Sequence, residues 1–349
     1  VTPVELSRTV LRAVRRAVDA GELVAPVPEC AQVASPGPGG RGDYATNVAL
    51  RLARPAGRPP REVAEILRSH LTDAEGVAGV DITGPGFLNI TLGGSREQAL
   101  VAEVLRRGGR YGFVDEPTGD LVQLHHPREV RAAVTAQAVA RILRSQGALV
   151  RTSCEDEPDP AWAAVLGVRV DAHGRPGAPA PLKVNVRPVP AVEDPTPLGR
   201  DAARWALLHP ASHDHPRITA DHLVQRETNP LFRVRYAHAR TRALTRNAAA
   251  LGFAGAPGDV QHEAEALVDA LAAHPHTLAT AARHRAPDRL ARHLVITADA
   301  LLTFQHTVLP LGDEKPSAAH RARLALAEAA GTVLAGGLSL LGIDAPEHL

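Results

Sequence analysis

Residues 229–252, NPLFRVRYAHARTRALTRNAAALG, hold the densest set of side chains able to do chemistry. At the helical turn of 100° per residue, Arg235, His238, Arg242 and Arg246 share one face, and Val234, Ala237, Leu244, Ala248 and Leu251 share the opposite one. Arg233, Tyr236 and Arg240 run along one edge of the apolar stripe. The cationic face has no acidic residue at i±4, the spacing at which helices usually pair their charges. A row of unpaired guanidiniums beside a tyrosine suits an RNA backbone and a splayed base. A solvated outer face is the competing reading.

Other reactive residue types are scattered. His125, His126 and Glu129 lack the HExxH spacing of a zinc site and read as a solvated loop. Cys154 has no base beside it in sequence, and it pairs with Cys30 in no CxxC or Cys/His pattern. No metal and no cofactor are expected. With only these two cysteines, a reducing cytosol is the expected compartment.

The elements that must position these residues follow from composition and pattern. The chain has 349 residues, a formal net charge of +1 and 44% hydrophobic residues, with 3% aromatics and no methionine. Cores of Leu, Val and Ala favour helices, and no stretch reads as a membrane span. Lys183 and Lys315 are the only lysines, so positive charge is almost all arginine. That bias fits phosphate recognition, and it fits a GC-rich genome equally.

The expected fold is multidomain and mainly α. It comprises a small α+β N-terminal module (1–95), a helix and linker (96–120), a reduced Rossmann-like α/β centre (121–204) and a C-terminal helical bundle (205–349). Thr2, Pro3 and Glu5 open the first helix as a capping box. Its apolar stripe is read as Val4, Leu11, Val14 and Val18, and Val63, Ile66, Leu67 and Leu71 line a later helix. DLVQLHH, REVRAAVTAQAVARILRSQG and ALVRTSC make one βαβ unit. AVLGVRV and LKVNVRPV read as strands. Asn229 and Pro230 start the long helix, and further helices fit 261–274, 276–284, 287–308 and 317–342.

NPLFRVRYAHAR resembles the opening of the anticodon-binding domain of arginyl-tRNA synthetases, N-P-V-F-Y-V-Q-Y-A-H-A-R. GDYATNVALRLA, RPPREVAEIL and GPGFLNITL resemble that family's additional N-terminal domain. LGRDAARWALL resembles the segment after its catalytic core, and the ending APEHL resembles A-P-E-R-M. The resemblance implies tRNA as partner, with an arginine isoacceptor or another synthetase as further candidates. In the N-terminal module it singles out Arg41, Tyr44 and Asn47. Tyr44 either stacks on a base or anchors the small core, and Asn47 either contacts RNA or caps a helix. In the bundle it singles out Tyr236, His238, Arg240 and Phe304, with Arg235, Arg242 and Arg246 as phosphate contacts. Gln305, Leu309 and Leu349 replace family residues near the anticodon.

The same resemblance locates what is missing. HPRE (126–129) stands at the family's H-V-G-H signature: His126 matches the first histidine, Arg128 replaces the glycine and Glu129 the second histidine. Arg128 would fill the space adenine needs, and Glu129 would repel phosphates. At the second signature, Lys183 matches the first lysine and Val186 replaces the second. The expectation is a non-catalytic tRNA-binding pseudo-synthetase, a regulator or adaptor. The rivals are a protein-docking subunit without RNA and an aminoacyl transferase using His125, His126 or Cys154.

Overall fold

The computed structural model describes residues 3–34, 36, 42–74, 76–92, 96–174, 184–258, 260 and 264–349. The chain divides into two compact units, Val1–Glu103 with Pro257–Asp259, and Val104–Ala256 with Val260–Leu349.

In the first unit, α1 (Pro3–Asp19), α2 (Val48–Ala56) and α3 (Pro60–Thr72) accompany a four-stranded antiparallel sheet. Its order is β1 (Val33–Ala34), β2 (Tyr44–Thr46), β4 (Phe87–Leu92), β3 (Val77–Thr83). The buried stripe of α1 runs through Leu6, Val10, Val14 and Ala17, rotated from the expected one, and Leu11 and Val18 only border the core. Thr2 of the expected capping box lies outside the described residues. On α3 the expected stripe is buried at Val63, Leu67 and Leu71. Gly86, at φ 142°, turns the β3–β4 ribbon where a Cβ would sit 2.8 Å from the Pro60 carbonyl oxygen, so only glycine fits.

After α4 (Arg96–Arg107), the second unit opens with β5 (Leu121–His126), α5 (Val130–Ser145) and β6 (Leu149–Cys154). The two strands are parallel, and a two-residue β7 (Ala172–His173) extends the sheet in the order β5-β6-β7. The segment AVLGVRV, expected as a strand, begins inside α6 (Pro160–Leu166), where Asp159 caps Ala161 and Pro160 takes the first helical position. LKVNVRPV forms no regular strand among its described residues, although Asn185 and Val186 both donate to the His125 carbonyl along the edge of β5.

The helices α7 (Gly199–Leu208), α8 (Pro230–Ala250), α9 (Glu265–His284), α10 (Pro287–Phe304) and α11 (Ala318–Leu341) complete the unit. Two helices expected over 261–274 and 276–284 are one, because α9 passes through Pro275. Proline leaves the carbonyl four residues earlier without its N–H. That carbonyl, on Leu271, accepts the Tyr111 hydroxyl at 3.1 Å, which satisfies the break. Contrary to the sequence reading, α11 is long and apolar enough to cross a membrane, with mean hydropathy 1.7, but 72% of that window is buried inside the protein.

Candidate nucleic-acid interface

Asn229 sets the start of α8. Its side-chain oxygen accepts from Leu231 and Phe232 N–H, and its amide nitrogen donates to the His222 and Val224 carbonyls at 2.9 Å. One residue therefore caps the helix and fixes the loop before it. Leu231, Val234, Ala237, Leu244 and Ala248 bury the inner face, while Leu251, expected with them, is 53% exposed past the helix end.

The outer face is not the row of free cations that i±4 spacing implies. Arg235 reaches Asp201 at 3.5 Å, and Arg242 places Nε and Nη2 on Glu347 Oε1 at 3.1 and 2.8 Å. Arg246 meets His348 at 3.4 Å. His238 is buried, its Nδ1 bonded to the Pro346 carbonyl, and burial lowers its pKa. Local spacing does not reveal these partners, because Asp201 lies on α7 and Pro346, Glu347 and His348 come from the chain's distant C-terminal segment.

Along the edge the cations are paired too, and an aromatic pair joins them. Phe232 and Tyr236 stack at 5.7 Å with 18° between their planes, and Tyr236 is 39% exposed. Arg233 pairs with the exposed Asp299 at 3.3 Å, and Arg240 donates Nε to Gln305 at 2.7 Å. An aromatic platform flanked by two guanidiniums can stack a base and hold its phosphates. Beside it lies a cavity of about 320 Å³ lined by Val224, Asn229, Phe232, Arg235 and Leu349 among others. Phe232 was legible as an i,i+4 aromatic partner of Tyr236. The partnership of Gln305 with Arg240 was not.

Phe304, expected at the same surface, is 3% exposed, packed in the bundle with its ring turned away from water. In the first unit Tyr44 is buried on β2 within the core, the anchoring alternative. Asn47 occupies the N-cap position of α2 without making a cap bond; Thr46 accepts from Val48 N–H instead. Arg41 lies outside the described residues.

The βαβ start is closed. His125 and His126, expected in a solvated loop, end strand β5 and are 2% and 0% exposed. His125 Nδ1 meets Ser153 Oγ at 2.8 Å, His126 Nδ1 meets the Pro127 carbonyl at 2.9 Å, and desolvation lowers the His126 pKa. Glu129 caps α5: its carboxylate accepts N–H bonds from Arg131, Ala132 and Ala191. The first two of those amides are the donors that a helix start would offer a phosphate. Arg131, 1% exposed, donates to the carbonyls of Val189, Leu207, Pro210, Ala211 and Asp214, binding these segments across the same end. Arg128 is exposed and donates Nε to the Glu157 carbonyl at 2.8 Å. Val186 is buried against Leu124, Ala136, Val139 and Ala140, and Lys183 lies outside the described residues. Cys154 is buried and its thiol pKa is raised by desolvation. Among the described residues no three metal-binding side chains converge.

Residues 5–92 match the family profile of the arginyl tRNA synthetase N terminal domain, and residues 234–349 match that of the DALR anticodon binding domain. The chain belongs to the arginyl-tRNA synthetase family. The arginine–tRNA ligases of Renibacterium salmoninarum and Frankia alni are 28% and 27% identical, aligned over 100% of both chains. The first alignment spans 550 positions against 349 residues here, so long stretches of the relative face gaps. The Micrococcus luteus enzyme is 35% identical over 200 residues, covering 50% of this chain and 36% of the relative. In fold, the chain is similar to the Thermus thermophilus arginyl-tRNA synthetase, with TM-score 0.63 and 16% identity over 100% of both chains. The Plasmodium falciparum enzyme gives TM-score 0.57 at 9% identity over 99% of each. The family's mainly helical, multidomain architecture is thus shared, and the α8 surface belongs to its anticodon-binding domain.

Proposed function

We propose that this chain is a tRNA-binding pseudo-synthetase of the cytosol, which holds tRNA through its anticodon-binding domain and does not activate arginine. It serves as a regulator or as an adaptor that presents a tRNA to another enzyme. The observation that carries this reading is Glu129. Its carboxylate occupies the α5 amides that would receive phosphate, and adding a nucleotide there would set anion against anion. The buried Val186 supports the same conclusion at the second signature position. The stacked Phe232–Tyr236 pair with Arg233 and Arg240 supports retained RNA binding.

Protein docking without RNA is the reading favoured by one observation, the pairing of Arg242 and Arg246 with Glu347 and His348. Those cations already have protein partners. Aminoacyl transfer through Cys154 is disfavoured, because the thiolate is the nucleophile and burial holds this thiol protonated.

Capture of total host tRNA by the purified protein, followed by sequencing of the bound species, tests the proposal. Enrichment of one isoacceptor family is expected. No retention at low salt would overturn it and leave protein docking.

A further inference from the structure

We infer that Arg141, Arg200 and Arg204 form a binding site for a phosphate-class oxyanion, beside the C-terminal end of α11. This site is separate from the α8 edge and does not rest on the RNA reading.

The geometry comes from three helices. Arg204 of α7 is 0% exposed and donates Nε to the Leu341 carbonyl and Nη1 to Gln137 and the Leu166 carbonyl, while its Nη2 is buried without a partner. Arg141 of α5 has a buried, unpartnered Nη1. The two meet at Gly342, where a Cβ would collide with Arg141 Nη1 and stand 2.7 Å from Arg204 Nε. Arg200 lies at the neighbouring glycine: its Nε is 3.6 Å from the Cβ position of Gly167, next to the Leu166 carbonyl that Arg204 uses. Arg200 is exposed and is the member of the cluster that meets solvent.

The charges do not balance. None of the three arginines is within 4.0 Å of a carboxylate among the described residues. Burial lowers the Arg141 pKa, with Arg200 and Arg144 adding to it, and burial pushes Arg204 down to about 9, with Arg141 and Arg200 adding to it. The end of α11 offers only about half an elementary negative charge. The carboxylate that offsets Arg204 electrostatically is Asp201, which already accepts from Asp344 N–H and faces Arg235. Three gathered guanidiniums, two of them with orphaned buried donors, are costly unless an anion pairs with them. The planar forks of arginine suit a tetrahedral oxyanion with several acceptor oxygens.

The test is titration of the full chain with inorganic phosphate at constant ionic strength held with chloride, read by calorimetry and thermal unfolding. Saturable binding and a rise in Tm above the chloride control are expected. Arg200→Ala, at an exposed position, should weaken phosphate binding about tenfold or more. Arg141→Gln should also weaken it, and should raise the Tm of the anion-free protein by removing an unpaired charge. A second arm adds saturating tRNA. Loss of phosphate binding assigns the oxyanion to the RNA backbone, and unchanged binding assigns it to a free phosphate; either supports the site. Equal responses to phosphate and chloride, or wild-type titrations from both variants, would overturn it.

Discussion

Helices α5 and α8 begin in the same unit and have gone opposite ways. At the start of α5 the cap is a carboxylate, three amides are satisfied by it, and Arg131 binds five carbonyls over the same end. At the start of α8 the cap is a neutral amide, and the first turns present Phe232, Arg233 and Tyr236 at the surface. One helix start is internal structure, while the other carries aromatic and cationic groups at the surface. The comparison teaches that two helix starts in one unit can differ in what they leave to a ligand, because each rests on different contacts.

The comparison can be broken most forcefully at Arg131. Arg131→Ala removes a buried cation and leaves five carbonyls without their donor, so a loss of about 3–5 kcal/mol is expected in urea unfolding. A loss under about 1 kcal/mol would mean that the α5 end is not locked as described.

Acid sharpens the contrast in another way. His274 of α9 stacks on Tyr111 and meets the ring of His293 of α10 at a tilt, and burial lowers their pKa values to about 3 and about 4. A histidine held below its unfolded value of about 6.5 stabilises the fold fully above that value. The contribution declines as pH falls toward the folded value. Between pH 6.5 and 5 each histidine should therefore cost about 2 kcal/mol. Unfolding at pH 7 and pH 5 checks this, and His274→Leu should flatten the dependence.

Glu129→Ala should cost about 1 kcal/mol through the lost cap. It should also leave arginine-dependent ATP–pyrophosphate exchange undetectable, since Arg131 still holds the overlying segments in place. Exchange appearing in this variant would show that the carboxylate alone blocks the reaction. The smallest stability effect belongs to Tyr236→Ala, within about 0.5 kcal/mol at this partly exposed position. Its RNA affinity should nevertheless fall about tenfold, as loss of one stacking platform implies.

Much of this was legible where the signals are local. Asn229 and Pro230 marked the start of α8, and strict periodicity marked β5, α5 and β6. Asp159-Pro160 carried the same start signal for α6, but an apolar run short enough for a strand masked it. Pro275 looked like a helix end because the Tyr111 hydroxyl that repairs the break comes from a distant segment. Burial of His125 and His126, and the pairing of Arg242 with Glu347, depend on chain segments that sequence spacing does not relate. Glu129 was visible as a misplaced negative charge, yet its role as the cap of α5 required the positions of the Arg131 and Ala132 amides.

The most direct test of the account is the affinity of host tRNA for the wild-type protein and for an Arg233→Ala/Arg240→Ala variant, measured across a salt series. The account predicts that wild-type affinity falls steeply as salt rises, and that the variant binds more weakly with a shallower slope by about two phosphate contacts. Equal affinities and slopes for the two proteins would contradict it, because the Arg233–Tyr236–Arg240 edge of α8 would then not be where RNA is held.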